Sequence, residues 1–504
     1  MITSLPVAFF ALAAMPQGLH QPPTPEHAAA LATTHLGIEL FRTLAADAPD
    51  ANLFLSPDSV TTALAIVMAG AKYQTLAEMK SALGLPADTP DATLHEGLRL
   101  LHERLEAGRG AGTDEQRAKV AAMRAQLAAL NQRAEQLAGS DWRAAGAAQT
   151  EARRIAAAIN QLLPDLDRYE LNTANALWVS RSFPILDSYV TTVDRWYGSG
   201  AAQVLDFAND ASGSVRTINQ WVAARTNDRI RDLLSPDSIS GTTPMVVTNA
   251  IWFRGEWRDP FEERDTTAQP FLLASGTDAE VQLMRDRWRG GVPYAAFGGD
   301  GRFFSTPREV PGEPGAKQPQ TYPDARGFQM IELPYKGGEL AMVLMVPQSR
   351  DGLPALERLL TAERLHAWLG KLSARQVDTA LPRFQLDGSH ELSAALQQMG
   401  MRRAFTSPDR LDGAQFFGIS DAANPSQQVF ISRVVHKTWL DVSEKGTEAA
   451  AATAVIMEAG AAAPDLRMVP FHPVVRADRP FLFLIRDVKT SAVLFLGRYV
   501  APRS

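Results

Sequence analysis

The sequence predicts an α+β fold, and three observations support that class. The chain has 504 residues with 45% apolar content, which is enough to bury a large core. Apolar residues recur at helical spacing in the first third, from Ala28 to Leu44 and from Ala92 to Glu106. Strand-like runs dominate the remainder, beginning with Thr173 to Val179 and Met245 to Phe253. Long runs of both types mixed in this way are typical of an α+β domain.

Helix starts near the N-terminus are marked by capping residues as well as by periodicity. Ser56 is a favourable N-cap and Pro57 suits the first turn, so we predict a helix from there to Gly70. A short helix ends near Leu83 and Gly84, where glycine suits a C-terminal cap.

A segment after these helices has a different periodicity. Apolar residues from Val120 to Leu137 follow an alternating three-four spacing, which is typical of a heptad seam, and the spacing resumes from Ile155 to Leu166. We predict an inserted helical hairpin over 107–165. Two interpretations stay open: a docking arm for an unknown partner, or a self-packed decoration of the domain.

The second half of the chain alternates strands with one further helix and one long loop. Ile218, Trp221, Val222 and Ile230 indicate the helix. The region 298–326 is rich in Gly and Pro and is predicted to be an inserted loop. The remaining predicted strands are Phe328 to Leu333, Ala341 to Val346, Val429 to Val442 and two within Phe481 to Tyr499.

Composition excludes several classes of function. The formal net charge is -6, which argues against nucleic acid as a partner. The absence of Cys excludes disulfides, thiolate metal sites and a cysteine nucleophile. The sequence lacks an apolar run of roughly 18 residues, so we expect no membrane span.

The N-terminal residues 1–27 are predicted to be a leader or a signal peptide. Leu5 to Met15 is a short apolar run, and Ala11-Leu12-Ala13 resembles a signal-peptidase site, although a basic n-region is missing. The alternative is a leader without fixed structure. With a signal, the expected location is secreted or periplasmic.

Catalytic motifs are missing from the sequence. It contains no nucleophile elbow, no HExxH motif and no phosphate-binding loop, and its nine His show no metal-ligand spacing. We therefore predict that the protein is not an enzyme and needs neither cofactor nor metal.

The segment from Glu444 to Ala463 combines conflicting local signals. Its alanines favour helix, yet Gly446 follows a strand-like run where a hinge would be needed. Strand alternation from Thr447 would place Glu448 on the opposite face from a row of small residues. A segment able to become either loop or central strand is what a conformational trap requires. The alternative is an exposed Ala-rich linker or helix.

Eight motifs in order resemble the serpin family, between about Ala28 and Ala501. They are NLFLSPDSVTTALAIVMAGA (52–71), NTANALWV (172–179), INQWVAARTNDRIRDLL (218–234), TNAIWFRGEWRDPF (248–261), LPRF (381–384), MGMRRAF (399–405), EKGTEAAAATA (444–454) and RPFLFLIRD (479–487).

The resemblance implies a single serpin domain over 28–501. It has a large central mixed or antiparallel β-sheet with further sheets, about eight or nine helices and an exposed reactive centre loop at 444–470. Members of the family act as suicide substrates. A serine protease cleaves the loop and forms an acyl-enzyme, and the freed loop inserts into the central sheet, which traps the protease. The alternative is a non-inhibitory serpin that acts as a binding or carrier protein.

The resemblance also assigns roles to individual residues. The hinge comprises Glu444, Gly446, Thr447, Glu448, Ala449, Ala450, Ala451 and Ala452. A polar cluster under the opening sheet, the shutter, comprises Ser56, Ser59, Asn249 and His436. Trp257 belongs to the breach, where insertion begins. Without the resemblance, His436 would be interpreted as a core histidine and Trp257 as an ordinary buried tryptophan.

In inhibitory serpins the scissile residue lies about fourteen positions after the hinge glycine, so the resemblance implies a reactive bond between Gly460 and Ala461, with Ala459 and Ala461 as alternative scissile residues. Small residues at the bond favour a protease with a shallow pocket, so we expect an elastase-like or subtilisin-like target. We also expect a monomer. The stretch from Gly446 to Phe481 is about nine residues longer than the usual family spacing, and we assign the excess to Pro464 to His472.

Overall fold

A computed structural model of the chain describes residues 24–108, 169–305, 309–311, 325–420, 427–447, 468–470 and 472–502, together with helical residues at intervals between 119 and 158. Most of the predicted leader, 1–23, lies outside the described residues.

Nine α-helices lie in the described residues outside 109–168. They are α1 (Pro25–Asp47), α2 (Pro57–Met68), α3 (Tyr73–Ala82), α4 (Asp91–Gly108), α5 (Asp187–Tyr197), α6 (Ala211–Arg225), α7 (Leu353–Leu359), α8 (Ala362–Leu369) and α9 (Ser393–Gln398).

Helix α1 begins three residues before its predicted start at Ala28. The Thr24 side chain caps it by accepting a hydrogen bond from the His27 backbone N–H, and Pro25 occupies the first turn. These residues therefore belong to the folded domain rather than to the leader. Helix α2 begins as predicted, because the Ser56 side chain accepts a hydrogen bond from the Ser59 backbone N–H.

The described residues contain eighteen strands. They are β1 (Leu53–Leu55), β2 (Tyr169–Ser180), β3 (Ala202–Leu205), β4 (Met245–Glu256), β5 (Thr267–Leu272), β6 (Asp278–Phe297), β7 (Phe303–Phe304), β8 (Glu309–Pro311), β9 (Phe328–Pro334), β10 (Leu340–Pro347), β11 (Ser373–Pro382), β12 (Phe384–Glu391), β13 (Ile431–Ser443), β14 (Gly446–Thr447), β15 (Met468–Pro470), β16 (Val474–Arg476), β17 (Phe481–Asp487) and β18 (Val493–Tyr499).

Two large sheets form the body of the molecule, which confirms the predicted α+β class. The first, which we call the central sheet, has the order β12-β13-β14-β4-β2-β3. The second follows the path β1-β18-β17-β10-β9-β6-β11-β16, with β5 and β7 also paired to β6. One buried cluster includes Phe253 of the central sheet and Phe483 and Phe495 of the second sheet. This shared core holds the two sheets together.

Helix α6 covers the outer face of the central sheet. Its Ile218 and Val222 belong to the same buried cluster as Val246 of β4 and Val435 of β13. Ile230 also packs there, but the helix ends at Arg225, so Ile230 lies in the following turn and not in the helix as predicted.

The region 298–326, predicted to be a Gly/Pro-rich loop, contains two short strands in its described residues, β7 and β8. Phe303 and Phe304 form β7, which pairs with the end of β6. Further along, β8 pairs antiparallel with β15, from Met468 opposite Pro311 to Pro470 opposite Glu309. The two segments that depart from the family spacing therefore contact each other.

The predicted insertion over 107–165 is described in part. Its described residues, from 119 to 133 and from 143 to 158, are helical. In the second group Ala145, Ala148, Ala152 and Ile155 are buried, at the alternating three-four spacing of one helix face. The hairpin as a whole stays a prediction.

Candidate functional site

The central sheet is forked between two parallel strands. Residues Ile431–Trp439 of β13 pair in parallel with Met245–Trp252 of β4, and we call this contact the seam. Beyond Trp439 and Trp252, the short strand β14 lies between β13 and β4 and is antiparallel to both. We call this strand, Gly446 and Thr447, the hinge stub. The seam therefore ends in a fork that already holds the first two residues of an additional strand.

The hinge stub depends on glycine at its first position. Gly446 has φ 145°, a backbone conformation that residues other than glycine rarely adopt. A Cβ there would lie 2.1 Å from the carbonyl oxygen of Gly255 in β4. The Ser443 hydroxyl donates to the Gly446 carbonyl at 3.2 Å and closes the turn. The predicted hinge glycine is therefore required both by the backbone and by its close approach to β4.

Trp257, which the resemblance assigns to the breach, lies at the end of the fork. Its ring is fully buried, and its Nε1 donates to the Ser443 carbonyl at 3.0 Å. Its backbone N–H donates to the Lys445 carbonyl at 2.9 Å. The Tyr335 ring stacks on it at 4.6 Å, and the hydroxyls of Tyr335 and Thr447 are 2.8 Å apart. Burial raises the pKa of Tyr335, so its phenol is neutral and can form a hydrogen bond with the buried Thr447 hydroxyl.

Glu444 holds the turn before the hinge stub against two neighbouring elements. Its side chain is buried and accepts hydrogen bonds from Arg383 Nε at 2.6 and 2.7 Å and from the Thr266 hydroxyl at 2.5 Å. Burial would raise the pKa of this carboxyl, but the Arg383 and Thr266 hydrogen bonds outweigh it and lower the pKa. Next to it, Lys445 pairs with Glu263 at 3.4 Å.

The four predicted shutter residues meet in one buried network beside the seam. His436 Nε2 accepts the Ser56 backbone N–H at 3.0 Å, and His436 Nδ1 donates to the Asn249 side-chain oxygen. The Asn249 amide donates to the Ser59 hydroxyl at 2.6 Å and to the Asn175 oxygen at 2.5 Å. Burial lowers the pKa of His436 well below its usual value, so the ring is neutral, as this hydrogen-bond pattern requires.

Two further polar residues of the network were missed in the sequence. Strand register places His390, His436, Asn249 and Asn175 in one row across β12, β13, β4 and β2. His390 Nε2 lies 3.3 Å from the Phe54 carbonyl, and burial lowers the pKa of His390. Asn175 lies within a predicted strand, where a polar residue among apolar ones was the available signal. The row crosses the seam, so opening the seam must break it.

Several predicted site residues lie outside the described residues. They are the hinge residues Glu448, Ala449, Ala450, Ala451 and Ala452 and the reactive-bond residues Gly460 and Ala461.

Within the part of the chain that the structure describes, no group of three or more His, Asp or Glu side chains could hold a metal ion. In the same part, none of the helices is both long and apolar enough to cross a membrane. At the fork, the described residues place the two-residue strand β14 between the ends of β13 and β4.

Comparisons with known proteins show which family and fold this chain shares. A family model described as Serpin (serine protease inhibitor) matches residues 31–502. The chain is similar to Serpin B3 of Homo sapiens, with 30% identity over 453 residues, which cover 90% of this chain and 94% of that protein. It is also similar to Leukocyte elastase inhibitor of Homo sapiens, with 29% identity over 478 residues and coverage of 94% and 98%. The crystal structure of uncleaved ovalbumin matches with a TM-score of 0.65 and 24% identity, covering 94% of this chain and all of that one, which shows the shared fold.

Proposed function

This chain belongs to the serpin family, and from that premise we propose that it inhibits a serine protease by acting as a suicide substrate rather than by catalysing a reaction. Cleavage of the loop after the hinge stub would form an acyl-enzyme and free the loop to insert into the seam. The observation that carries the proposal is the hinge stub itself. Its backbone already pairs with both strands that an inserted loop would need.

Strand register allows the inserted state to be worked out residue by residue. Thr447 faces Gly255 of β4 and Val442 of β13. Because antiparallel neighbours advance in opposite directions, Met457 would face Met245 at the start of β4, ten residues further in each strand. The loop would thus extend about 33 Å along the seam.

The loop sequence suits the buried surroundings that this register assigns to its inner face. Ala449 would lie between Leu440 and Phe253, whose side chains are both buried, so a small side chain suits this position. Ala451 would lie between Thr438 and Ile251, which are also buried. Small side chains at these positions support insertion without steric conflict.

Polarity supports the same register. Thr453 would enter between His436 and Asn249, whose mutual hydrogen bond must break when the seam opens. Its hydroxyl can both donate and accept, so it can replace the partner that each of these residues loses. An apolar residue there would leave two buried polar groups unsatisfied.

The proposed bond between Gly460 and Ala461 follows the last inserted residues. A protease attached at Gly460 would be carried past the far end of β4. The small residues at the bond support an elastase-like or subtilisin-like target. The similarity to a protein named Leukocyte elastase inhibitor supports the same choice.

The first test is incubation of the full chain with pancreatic elastase and with subtilisin, followed by denaturing gel electrophoresis and mass spectrometry. We expect a complex that survives denaturation and a released peptide that begins at Ala461. Cleavage without a complex would instead indicate a non-inhibitory serpin, and absence of cleavage would contradict the assigned bond.

A matched pair of variants tests the alternation of faces. Ala451→Glu would bury a charge on the inner face, so we expect cleavage without trapping. Ala452→Glu would enter on the outer face between the half-buried Lys437 and the buried Ala250, where the Lys437 ammonium can pair with its charge, so we expect trapping to be impaired less. Equal behaviour of the two variants would contradict strand insertion in this register.

A further inference from the structure

The outer face of the seam carries an aromatic pair beneath one arginine. Trp252 of β4 and Trp439 of β13 are direct partners in the parallel register, at the last position before the fork. The Arg229 guanidinium carbon lies 5.6 Å from the Trp252 ring centroid and 5.7 Å from the Trp439 ring centroid. We call these three residues the cross-seam cluster. One cation therefore lies over both β4 and β13, the two strands between which the loop would insert.

The backbone that carries Arg229 has a specific geometry. Asn227 and Asp228 have φ values of 49° and 60°, so two successive non-glycine residues adopt the left-handed conformation that Asn and Asp tolerate best. The Thr226 hydroxyl accepts the Ile230 backbone N–H at 3.2 Å. Ile230 is buried against the outer face of the central sheet. This turn directs the chain back over the seam and places Arg229 there.

The segment after Arg229 is fixed to both α6 and β13. The Asn219 side chain accepts hydrogen bonds from the Leu233 and Leu234 backbone N–H groups, at 3.2 and 2.9 Å. Lys437 Nζ donates to the Asp232 carbonyl at 3.1 Å. Because this segment is fixed to α6 and β13, the Arg229 guanidinium cannot stay over both tryptophans when β4 and β13 move apart.

Insertion would separate the two tryptophans. Adjacent strands lie about 4.8 Å apart, so an added strand would move Trp252 and Trp439 to about twice that separation. In the register of the hinge stub, Ala450 would lie between them, three residues beyond Thr447. The cation would then lose at least one ring.

We propose that Arg229 is a positioning residue that holds the seam closed and limits the rate at which the loop enters beyond the hinge stub. The inference rests on the proposed function, since it concerns the same insertion step. It assigns a role in that step to residues which lie outside the hinge, shutter and breach.

The test measures strand entry without a protease. A synthetic peptide with the sequence of residues 447–458, labelled with a fluorophore, is incubated with the full-length protein, and its rate of incorporation is followed by native gel. We expect Arg229→Gln to raise this rate about 5-fold, as loss of one or two cation–π contacts implies. Arg229→Lys, which keeps the cation, should restore a rate near that of the parent.

The matched control is Arg225→Gln. Arg225 lies 4.1 Å over the Trp221 ring within α6, so this variant removes a contact of the same kind that does not cross the seam. We expect it to leave the incorporation rate unchanged. Trp439→Leu removes one ring of the cluster and keeps Arg229, and it should raise the rate as Arg229→Gln does.

The outcomes separate this inference from the proposed function. An unchanged rate in Arg229→Gln, an equal increase in Arg225→Gln, or failure of the peptide to enter the parent protein would overturn the role of Arg229. If the peptide rates behave as expected while proteases form no stable complex, the cluster stands and the proposed inhibition fails.

Discussion

The ion pair between Glu444 and Arg383 offers a quantitative test of how the fork is held. Glu444 is 3% exposed and lies in the turn that leads to the hinge stub, whereas the Arg383 side chain is 44% exposed. We consider Glu444→Gln, Arg383→Gln and the double variant. Each substitution keeps the approximate shape of the side chain and removes one charge.

The expected magnitude follows from the exposure of the two partners. A hydrogen bond to a charged group contributes about 1.5–3 kcal/mol, but the half-exposed Arg383 is screened by solvent, so we expect a coupling of about 1–2 kcal/mol. Arg383→Gln should be the more damaging single change, because it leaves a buried carboxylate that has lost its cation. If this ion pair breaks when the fork opens, its removal should raise the rate of spontaneous inactivation about 5- to 30-fold.

The pH dependence has a definite sign. The pKa of Glu444 is lowered in the folded protein, so its contribution to stability is present above the unfolded-state pKa of about 4.3 and is lost as pH falls through the lower folded-state value. The difference in stability between the parent and Glu444→Gln should therefore shrink below about pH 4.

The assay is urea-induced unfolding of the parent, the two single variants and the double variant, measured together with the loss of elastase inhibition over time at 37 °C. A coupling below about 0.3 kcal/mol in the double-mutant cycle would refute the assignment of this pair to the fork. So would a stability difference that stays constant from pH 7 to pH 3.

Three further predictions concern other parts of the molecule. Gly446→Ala should weaken the hinge stub by at least about 2 kcal/mol, because its Cβ would meet the Gly255 carbonyl, and faster hydrogen exchange at β14 would show it. His436→Ala should lower the free energy of unfolding by about 2–4 kcal/mol, since it leaves the Ser56 N–H buried without its acceptor, and a urea midpoint that stays unchanged would contradict this. Deletion of Gly108 to Pro164 should leave inhibition intact, and loss of elastase inhibition in a folded deletion variant would contradict this.

The elements that depend on local signals were predictable from the sequence. The Ser56 cap, the strand periodicity around Trp252 and the glycine at 446 each follow from residue type and short-range spacing. The pairing of β14 was not predictable, because a strand of two residues carries no periodic pattern and its partners are distant in sequence. Arg229 was missed for a similar reason, since its place over the seam depends on the left-handed turn that precedes it.

The family resemblance predicted the shutter and hinge residues, but it did not point to Asn175 and His390. Asn175 and His390 join the network through strand register, which a single sequence does not reveal. Ile230 was assigned to a helix because it continues an apolar spacing, yet it is buried by the turn beyond the last helical residue. In each case the tertiary contact decided the outcome.

The pairing of β8 with β15 shortens the chain that could return from an inserted loop to the second sheet. Strand β16 runs parallel to β11, whose last residue precedes Arg383, so the far end of the loop is anchored near Glu444. In the proposed inserted state, the return from position 457 to Met468 would have to be made by eleven residue steps, a reach of at most about 38 Å. This maximum reach is little more than the inserted length of about 33 Å between Thr447 and Met457.

Without β15, the return would extend to Val474, with a reach of about 58 Å. The additional residues after the reactive bond would then make the uncleaved loop slack enough to enter on its own. With the pairing at Met468 kept, full insertion of the uncleaved loop would require a nearly extended return from position 457. In the proposed mechanism, this pairing would leave the lengthened loop little spare chain for insertion before cleavage, and cleavage of the bond would remove that restraint.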